Sequence, residues 1–138
     1  MSYLIDTNVL SELRRKQPDP RVVAWLQARP CQSLYLSVLT LGEIRKGLER
    51  VQEPLRKQAL LDWLEVELSQ YFMGRVLHID APIADHWGRL MADAGRPLPA
   101  IDALLAATAL QHDLTLVTRN TKDFVDFRVR LIDRKSVV

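Results

Sequence analysis

The sequence predicts a single α/β domain, in which helices flank both faces of a central parallel sheet of about five strands. Short apolar segments of strand length alternate with longer helical patterns, and such alternation favours parallel strands. The 138 residues are 48% hydrophobic and 26% charged, as expected for one soluble domain with its own core. No repeat, low-complexity stretch or long linker divides the chain, so the predicted domain covers residues 1–138.

The strands are predicted from short runs of apolar and β-branched residues between turn-forming residues. In chain order they are Tyr3–Ile5, Leu34–Leu36, Val76–Ile79, Thr115–Thr118 and Val129–Ile132.

The helices are predicted from apolar spacing and from capping residues at their ends. Asp19 and Pro20 begin a helix that runs through Leu26, and Ser37 caps a helix that carries Leu48. A long helix is expected from about Pro54 to Met73, with Gly74 at its end. Two further helices are expected, one from the Asp80 cap to Gly95 and a nearly unbroken apolar one at Ala103–Leu110.

Composition and the first residues of the sequence indicate which cellular compartment to expect. Cys31 is the only cysteine, so no internal disulfide forms and a reducing compartment is expected. No apolar run approaches the ~20 residues that span a membrane, and the segment Met1–Asp6 lacks the basic start of a signal peptide. We therefore expect a cytoplasmic protein. The net charge of +2 permits an anionic partner such as RNA without requiring one.

Acidic and polar residues stand where ligands bind in such folds, just beyond strands or near the starts of helices. Asp6 follows the first strand, Glu43 lies in the helix after the second, and Asp102 opens the apolar helix. Thr118, Asn120 and Asp123 follow the fourth strand.

Each of these residues also has a structural interpretation. Asp6, Asp102 and the residues after the fourth strand can cap helices or form turns. Thr40 with Glu43 matches a capping box, although Ser37 is the better cap.

Taken together, the carboxylates predict metal-assisted phosphoryl chemistry. Hard divalent cations prefer oxygen ligands, and several carboxylates would repel a phosphodiester unless a cation lay between them. The three histidines share no zinc-type spacing with Cys31. The chain also lacks the glycine-rich phosphate loops and the GxSxG turn of serine hydrolases.

Four segments in this order resemble PIN-domain proteins, in particular the VapC/FitB-like toxin ribonucleases of type II toxin–antitoxin systems. The matching segments are Leu4–Glu12, Leu36–Glu43, Ile101–Ala109 and Val117–Phe124. The resemblance spans nearly the whole chain. It implies a Mg²⁺- or Mn²⁺-dependent endoribonuclease that cuts an RNA such as tRNA or rRNA. It also implies a homodimer and a hetero-oligomer with an inhibiting antitoxin.

By position, Asp6, Glu43 and Asp102 match the three core carboxylates of the family, as catalytic residues and metal ligands. The fourth acidic position falls on Asn120, which departs from the usual Asp and puts a second metal in doubt. We still predict Asn120 as a catalytic residue that ligates through its side-chain carbonyl or holds a water molecule, and Asp123 would add charge through water. Basic residues flank these segments. We predict Arg119 as the phosphate contact, with Thr7 and Thr118 also facing the substrate.

Three alternatives stay open. The Asn120 departure is compatible with a catalytically weak module that binds RNA or antitoxin without cutting. A Mg²⁺-dependent phosphatase of the haloacid-dehalogenase type would need an acid at Asn8, two residues after Asp6. A phosphate-accepting receiver domain would need an acidic pair near the first strand and a suitably placed lysine, and Lys122 is poorly placed for that role.

Overall fold

The protein is described by a computed structural model that covers residues 1–127 and 129–133. Arg128 and residues 134–138 of the predicted 1–138 domain lie outside the described residues. The five strands are β1 (Tyr3–Ile5), β2 (Leu34–Ser37), β3 (Val76–Leu77), β4 (Thr115–Thr118) and β5 (Leu131–Asp133). They form one sheet in the order β3-β2-β1-β4-β5, and every pairing is parallel. The predicted fold class is confirmed.

The helices are α1 (Thr7–Leu10), α2 (Pro20–Gln27), α3 (Val38–Leu48), α4 (Pro54–Asp62), α5 (Leu68–Tyr71), α6 (Ala81–Ala94) and α7 (Ala100–Gln111). The predicted caps are confirmed, because the side chains of Asp19, Ser37 and Asp80 each accept a hydrogen bond from a backbone N–H of the following helix. Gly95 ends α6 at a φ of 67°, in the left-handed region that glycine adopts without strain. No helix in the described part of the chain is both long and apolar enough to cross a membrane.

Several boundaries differ from those that the sequence predicts. The long helix spans Pro54 to Tyr71, and a π-helical turn at Trp63–Glu67 joins α4 to α5. β3 ends two residues early, at Leu77, because β2 pairs with it only at Leu36 and Ser37. These differences arise from tertiary pairing and packing, which local residue preferences do not encode.

Helices cover both faces of the sheet, as predicted. Along β1, Tyr3 and Ile5 belong to a core with α2, α3 and the α4–α5 helix, whereas Leu4 belongs to a second core with α6 and α7. This alternation follows from the two-residue period of a strand. Because both sides of β1 are packed, all three of its residues are buried.

The strand order reverses at β1, and this reversal positions the site. After β1 the chain builds β2 and β3 toward one edge, and it then returns to place β4 on the other side of β1. The carboxyl ends of β1 and β4 therefore lie side by side, with their connections leading in opposite directions. In open parallel sheets this switch point is where ligands bind.

Candidate active site

Asp6 lies at the switch point, directly after β1. Its backbone N–H donates to the carbonyl oxygen of Val117 on β4 at 2.9 Å. Its carboxylate accepts two hydrogen bonds, from the backbone N–H of Thr7 at 2.7 Å and from Thr118 Oγ1 at 2.8 Å. The side chain thus caps α1, which confirms the structural interpretation, whereas a role of Asp6 in metal binding or catalysis stays a prediction.

The environment of Asp6 disfavours a negative charge. Only 8% of the residue is exposed, and this burial is the main reason why its pKa rises from 3.8 to about 6. The hydrogen bonds from Thr118 and Thr7 act in the opposite direction. The nearby carboxylates of Glu43 and Asp102 raise the pKa further by repulsion, so the three acids share one electrostatic environment.

Glu43 reaches the same region from α3. Ser37 Oγ caps this helix by accepting the N–H of Leu39 at 3.1 Å, so Glu43 is not used in a capping box. The half-buried Glu43 instead accepts a hydrogen bond at Oε1 from Thr7 Oγ1 at 2.6 Å. Thr7 therefore connects the first acidic segment to the second.

Asp102 lies in the first turn of α7 and is half-buried. The N-cap position is Pro99, which makes no side-chain capping bond, so Asp102 is not the N-cap that the sequence allowed. Its pKa is raised, first by burial and then by the negative charges of Asp123 and Glu43. The charges of Asp102 and Asp6 thus interact, and Asp102 also interacts with the charges of Glu43 and Asp123.

The loop after β4 is tied to the first acidic segment. Thr118 Oγ1 accepts the N–H of Asn120 at 3.0 Å while donating to Asp6. Asn8 Oδ1 accepts the N–H of Arg119 at 3.0 Å, and its amide lies 3.4 Å from Thr118 Oγ1. Sequence reasoning did not select Asn8 as a site residue. Its one signal was an amide residue two positions after a strand-end Asp.

The guanidinium group of Arg119 pairs with two acidic residues other than the carboxylates described above. Its Nη1 lies 2.9 Å from Oε2 of the buried Glu12, and Nη2 lies 3.7 Å from Asp19. Burial raises the pKa of Glu12, but the Asp19 N–H, Arg15 and Arg119 together outweigh this and hold that pKa below its usual value. The predicted contact between Arg119 and phosphate therefore competes with a strong internal partner. Sequence reasoning also missed this role of Glu12.

The donor set fits a hard divalent cation. Asp6, Glu43, Asp102 and Asp123 supply only oxygen ligands, and their mutual repulsion would be relieved by a positive ion. In the described part of the chain, no group of three or more His, Cys, Asp or Glu side chains is arranged so that it could hold a metal ion. A cation bound here would thus complete its shell with water or substrate oxygens, as Mg²⁺ commonly does.

The fold and the acidic switch point define a class of small parallel α/β proteins with an anionic crevice. A family model described as PIN domain matches residues 3–129, so the chain belongs to the PIN domain family. It is 40% identical to toxin FitB of Neisseria gonorrhoeae over 124 residues, covering 88% of this chain and 89% of that protein.

A second curated relative and a solved structure agree with this family. The VapC ribonuclease Y4jK of Sinorhizobium fredii is 37% identical over 124 residues, which cover 88% of this chain and 89% of that protein. The crystal structure of FitAcB from Neisseria gonorrhoeae superposes with a TM-score of 0.90 at 36% identity, covering 98% of this chain and 99% of that one.

Proposed function

We propose that the protein is a metal-dependent endoribonuclease and acts as the toxin of a type II toxin–antitoxin pair. It would hydrolyse phosphodiester bonds in a structured RNA such as tRNA or rRNA. The observation that carries the proposal is the shared environment of Asp6, Glu43 and Asp102, whose charges repel one another at the switch point. The similarity to a protein named as a toxin and to one named as a ribonuclease supports the activity and the biological role.

Asp6 and Asp102 would hold the metal directly or through water, Glu43 would hold it or orient the attacking water, and Asp123 would contribute through water. A bound Mg²⁺ or Mn²⁺ would neutralise phosphate charge and favour ionisation of a water molecule. The protein supplies the orientation. Thr118 and the Thr7 N–H fix both oxygens of Asp6, and Thr7 Oγ1 fixes Oε1 of Glu43. Glu43 Oε2, which takes no hydrogen bond from the described residues, would orient the attacking water.

The antitoxin would bind to an apolar groove between the segment that follows α1 and the α4–α5 helix. The groove has a volume of about 290 Å³, and its walls include Leu13, Trp63 and Tyr71. An amphipathic helix places an apolar face into a groove of this kind. A homodimer, and a larger assembly with the antitoxin, are part of the same proposal.

The test is cleavage of a pool of tRNA and rRNA by antitoxin-free protein with Mg²⁺, with Mn²⁺ and with EDTA. The wild type should give discrete products that require metal. Asp6→Ala and Asp102→Asn should each lose at least about 100-fold in rate, because each removes a charge that stabilises the cation and the transition state. Arg89→Gln is a suitable control, because Arg89 is exposed on α6 and pairs with Asp85.

A catalytically weak module that binds RNA or antitoxin is the second candidate, because Asn120 stands where the family usually has an acid. Cleavage by folded Asp6→Ala protein at the wild-type rate would refute the proposed mechanism. Absence of cleavage by wild-type protein, together with no stabilisation by Mg²⁺, would favour the binding module instead.

A further inference from the structure

A second cavity, of about 260 Å³, has Glu43 among its lining residues. Three elements form it: the 3₁₀ turn at Ser11–Arg14, the middle of α3, and α4 with the start of the π-helical turn. Its polar lining consists mainly of Arg14, Arg15 and Arg56, and Glu43 stands at one wall. The cavity thus places several positive charges next to a predicted catalytic carboxylate.

Two of these arginines are not neutralised by the protein. Arg14 stacks over Trp63, 5.7 Å from the ring centroid, and its buried Nε has no hydrogen-bond partner in the described part of the chain. Arg56 Nη2 donates to the uncharged carbonyl oxygen of Arg14 at 2.8 Å. Among the described residues, neither guanidinium group has a carboxylate within ion-pair distance. Arg15, by contrast, lies 3.3 Å from Glu12.

Such an arrangement is suited to a phosphate group. A guanidinium group offers several donors in a planar fork that matches phosphate oxygens, and an unpaired guanidinium loses no internal partner when it binds one. At about 260 Å³ the cavity is smaller than most sites for drug-sized ligands. A single phosphate with part of its sugar is therefore a more suitable occupant than a folded partner.

We propose that Arg14 and Arg56 form a subsite for one phosphate of the RNA strand, adjacent to the phosphodiester that is cut. This assignment rests on the proposed ribonuclease function. The subsite holds the strand so that the neighbouring phosphodiester reaches Glu43, and it reads charge rather than sequence. Arg14 and Arg56 are positioning residues, whereas Asp6 and Glu43 act at the reacting atoms.

The salt dependence of RNA binding tests this subsite. Affinity for 3′-labelled bulk tRNA is measured by fluorescence anisotropy in EDTA, at several salt concentrations. Each phosphate contact contributes about 0.7 to 0.9 to the slope of log affinity against log salt. The double variant Arg14→Gln, Arg56→Gln removes this one phosphate contact and should lower that slope by about 0.8. A variant with Arg89→Gln and Arg130→Gln removes two charges elsewhere and should keep the wild-type slope, because these arginines pair with Asp85 and Asp113 instead.

Two further variants separate charge from folding. Lysine at both positions keeps the charges, so Arg14→Lys with Arg56→Lys should retain most of the slope. If the double glutamine variant does not fold, Arg56→Gln alone is measured, and it should lower the slope measurably, by at most about 0.8, because Arg14 remains. Thermal unfolding of each variant establishes that the folded protein is compared.

The outcomes distinguish the subsite from the proposed function. If wild-type protein binds and cuts tRNA but the folded glutamine variants keep the wild-type slope, the subsite alone is refuted. If wild-type protein neither binds nor cuts RNA, the proposed function is refuted and the subsite with it. A reduced slope in the glutamine variants, with normal slopes in the lysine and control variants, supports the assignment.

Discussion

The two halves of the candidate active site hold their carboxylates in different ways. On the β1 side, Asp6 accepts hydrogen bonds at both oxygens and Glu43 accepts one from Thr7. On the α7 side, the raised pKa of Asp102 has only burial and the charges of Asp123 and Glu43 as its causes, and no hydrogen bond from the described residues offsets them. Hydrogen bonds thus hold the carboxylates of the β1 half, whereas no hydrogen bond from the described residues holds Asp102 in the α7 half.

This difference indicates that the β1 half supplies a fixed geometry and the α7 half responds mainly to a bound cation. The β1 half is fixed before anything binds, because its hydrogen bonds join residues that lie more than 100 positions apart in the chain. The α7 half consists of like charges, and only a bound cation or a proton would stabilise it. We therefore expect changes in the first half to affect folding as well as activity, and changes in the second half to affect mainly cation binding.

The largest expected effect on stability concerns Asp6 and pH. Its folded-state pKa of about 6 lies above the usual 3.8, so the folded protein binds this proton more tightly than the unfolded chain does. The resulting stabilisation is complete below pH 3.8 and is lost as the pH rises through 6. At 1.36 kcal/mol per unit, the loss is roughly 3 kcal/mol at most.

Urea unfolding in EDTA between pH 4 and 8 measures this effect. The free energy of unfolding of Asp6→Asn, relative to wild type, should rise with pH, because the variant has no carboxylate to ionise. Asp102→Asn is the matched variant in the α7 half of the site. It should show the same direction with a smaller slope, since Asp102 is only half-buried. A difference between Asp6→Asn and wild type that stays constant from pH 4 to 8 would contradict the prediction.

Thr118→Val tests the hydrogen bonds of the β1 half, because it removes the Thr118 hydroxyl at nearly constant side-chain volume. Thr118 is fully buried, and its hydroxyl donates to Asp6 and accepts the Asn120 N–H. Loss of this hydroxyl leaves buried polar groups unpaired, which costs about 1–3 kcal/mol of unfolding free energy. Cleavage should fall about 10- to 100-fold, as for other groups that orient metal ligands.

The control for this variant is Thr108→Val. Thr108 is also buried, but its hydroxyl donates only within α7, to the carbonyl of Leu104 at 2.7 Å. It should cost no more than about 1 kcal/mol and leave cleavage unchanged. If both variants lost equal stability and activity, the hydrogen bonds around Thr118 would have no special role.

Local rules account for most of the fold. The N-caps at Asp19, Ser37 and Asp80 and the glycine at position 95 could be predicted because capping depends on one residue and its immediate neighbours. The acidic residues could be predicted because strand ends in a parallel sheet meet at one edge. The short β3 and the π-helical turn at Trp63–Glu67 depend on pairing and packing with distant segments, and the local sequence gives no signal for either.

The same reasoning explains what was missed in the site. Arg119 is next to the crevice in sequence, which favoured it as a phosphate contact. In the structure its guanidinium pairs with Glu12, more than 100 residues away, which no local pattern encodes, and the phosphate contact stays a prediction. Asn8 was overlooked for the same reason, because its partners Thr118 and Arg119 are adjacent only once β1 and β4 pair. Glu12 also binds Arg15 and the Asp19 N–H, which are near it in the chain, but its pairing with Arg119 depends on the fold.

The smallest expected effect concerns Asn120, which stands at the position where the family usually has an aspartate. Asn120→Asp adds a carboxylate to a half-buried residue whose backbone N–H is already fixed by Thr118. Cation affinity increases with ligand charge, so Mg²⁺ should bind about tenfold more tightly, whereas the metal-free protein should lose at most about 1 kcal/mol from added repulsion. Asp123→Asn is the reciprocal variant and should weaken Mg²⁺ binding. Calorimetric titration measures both, and an Asn120→Asp protein that binds Mg²⁺ no better than wild type would show that position 120 does not contribute to the cation site.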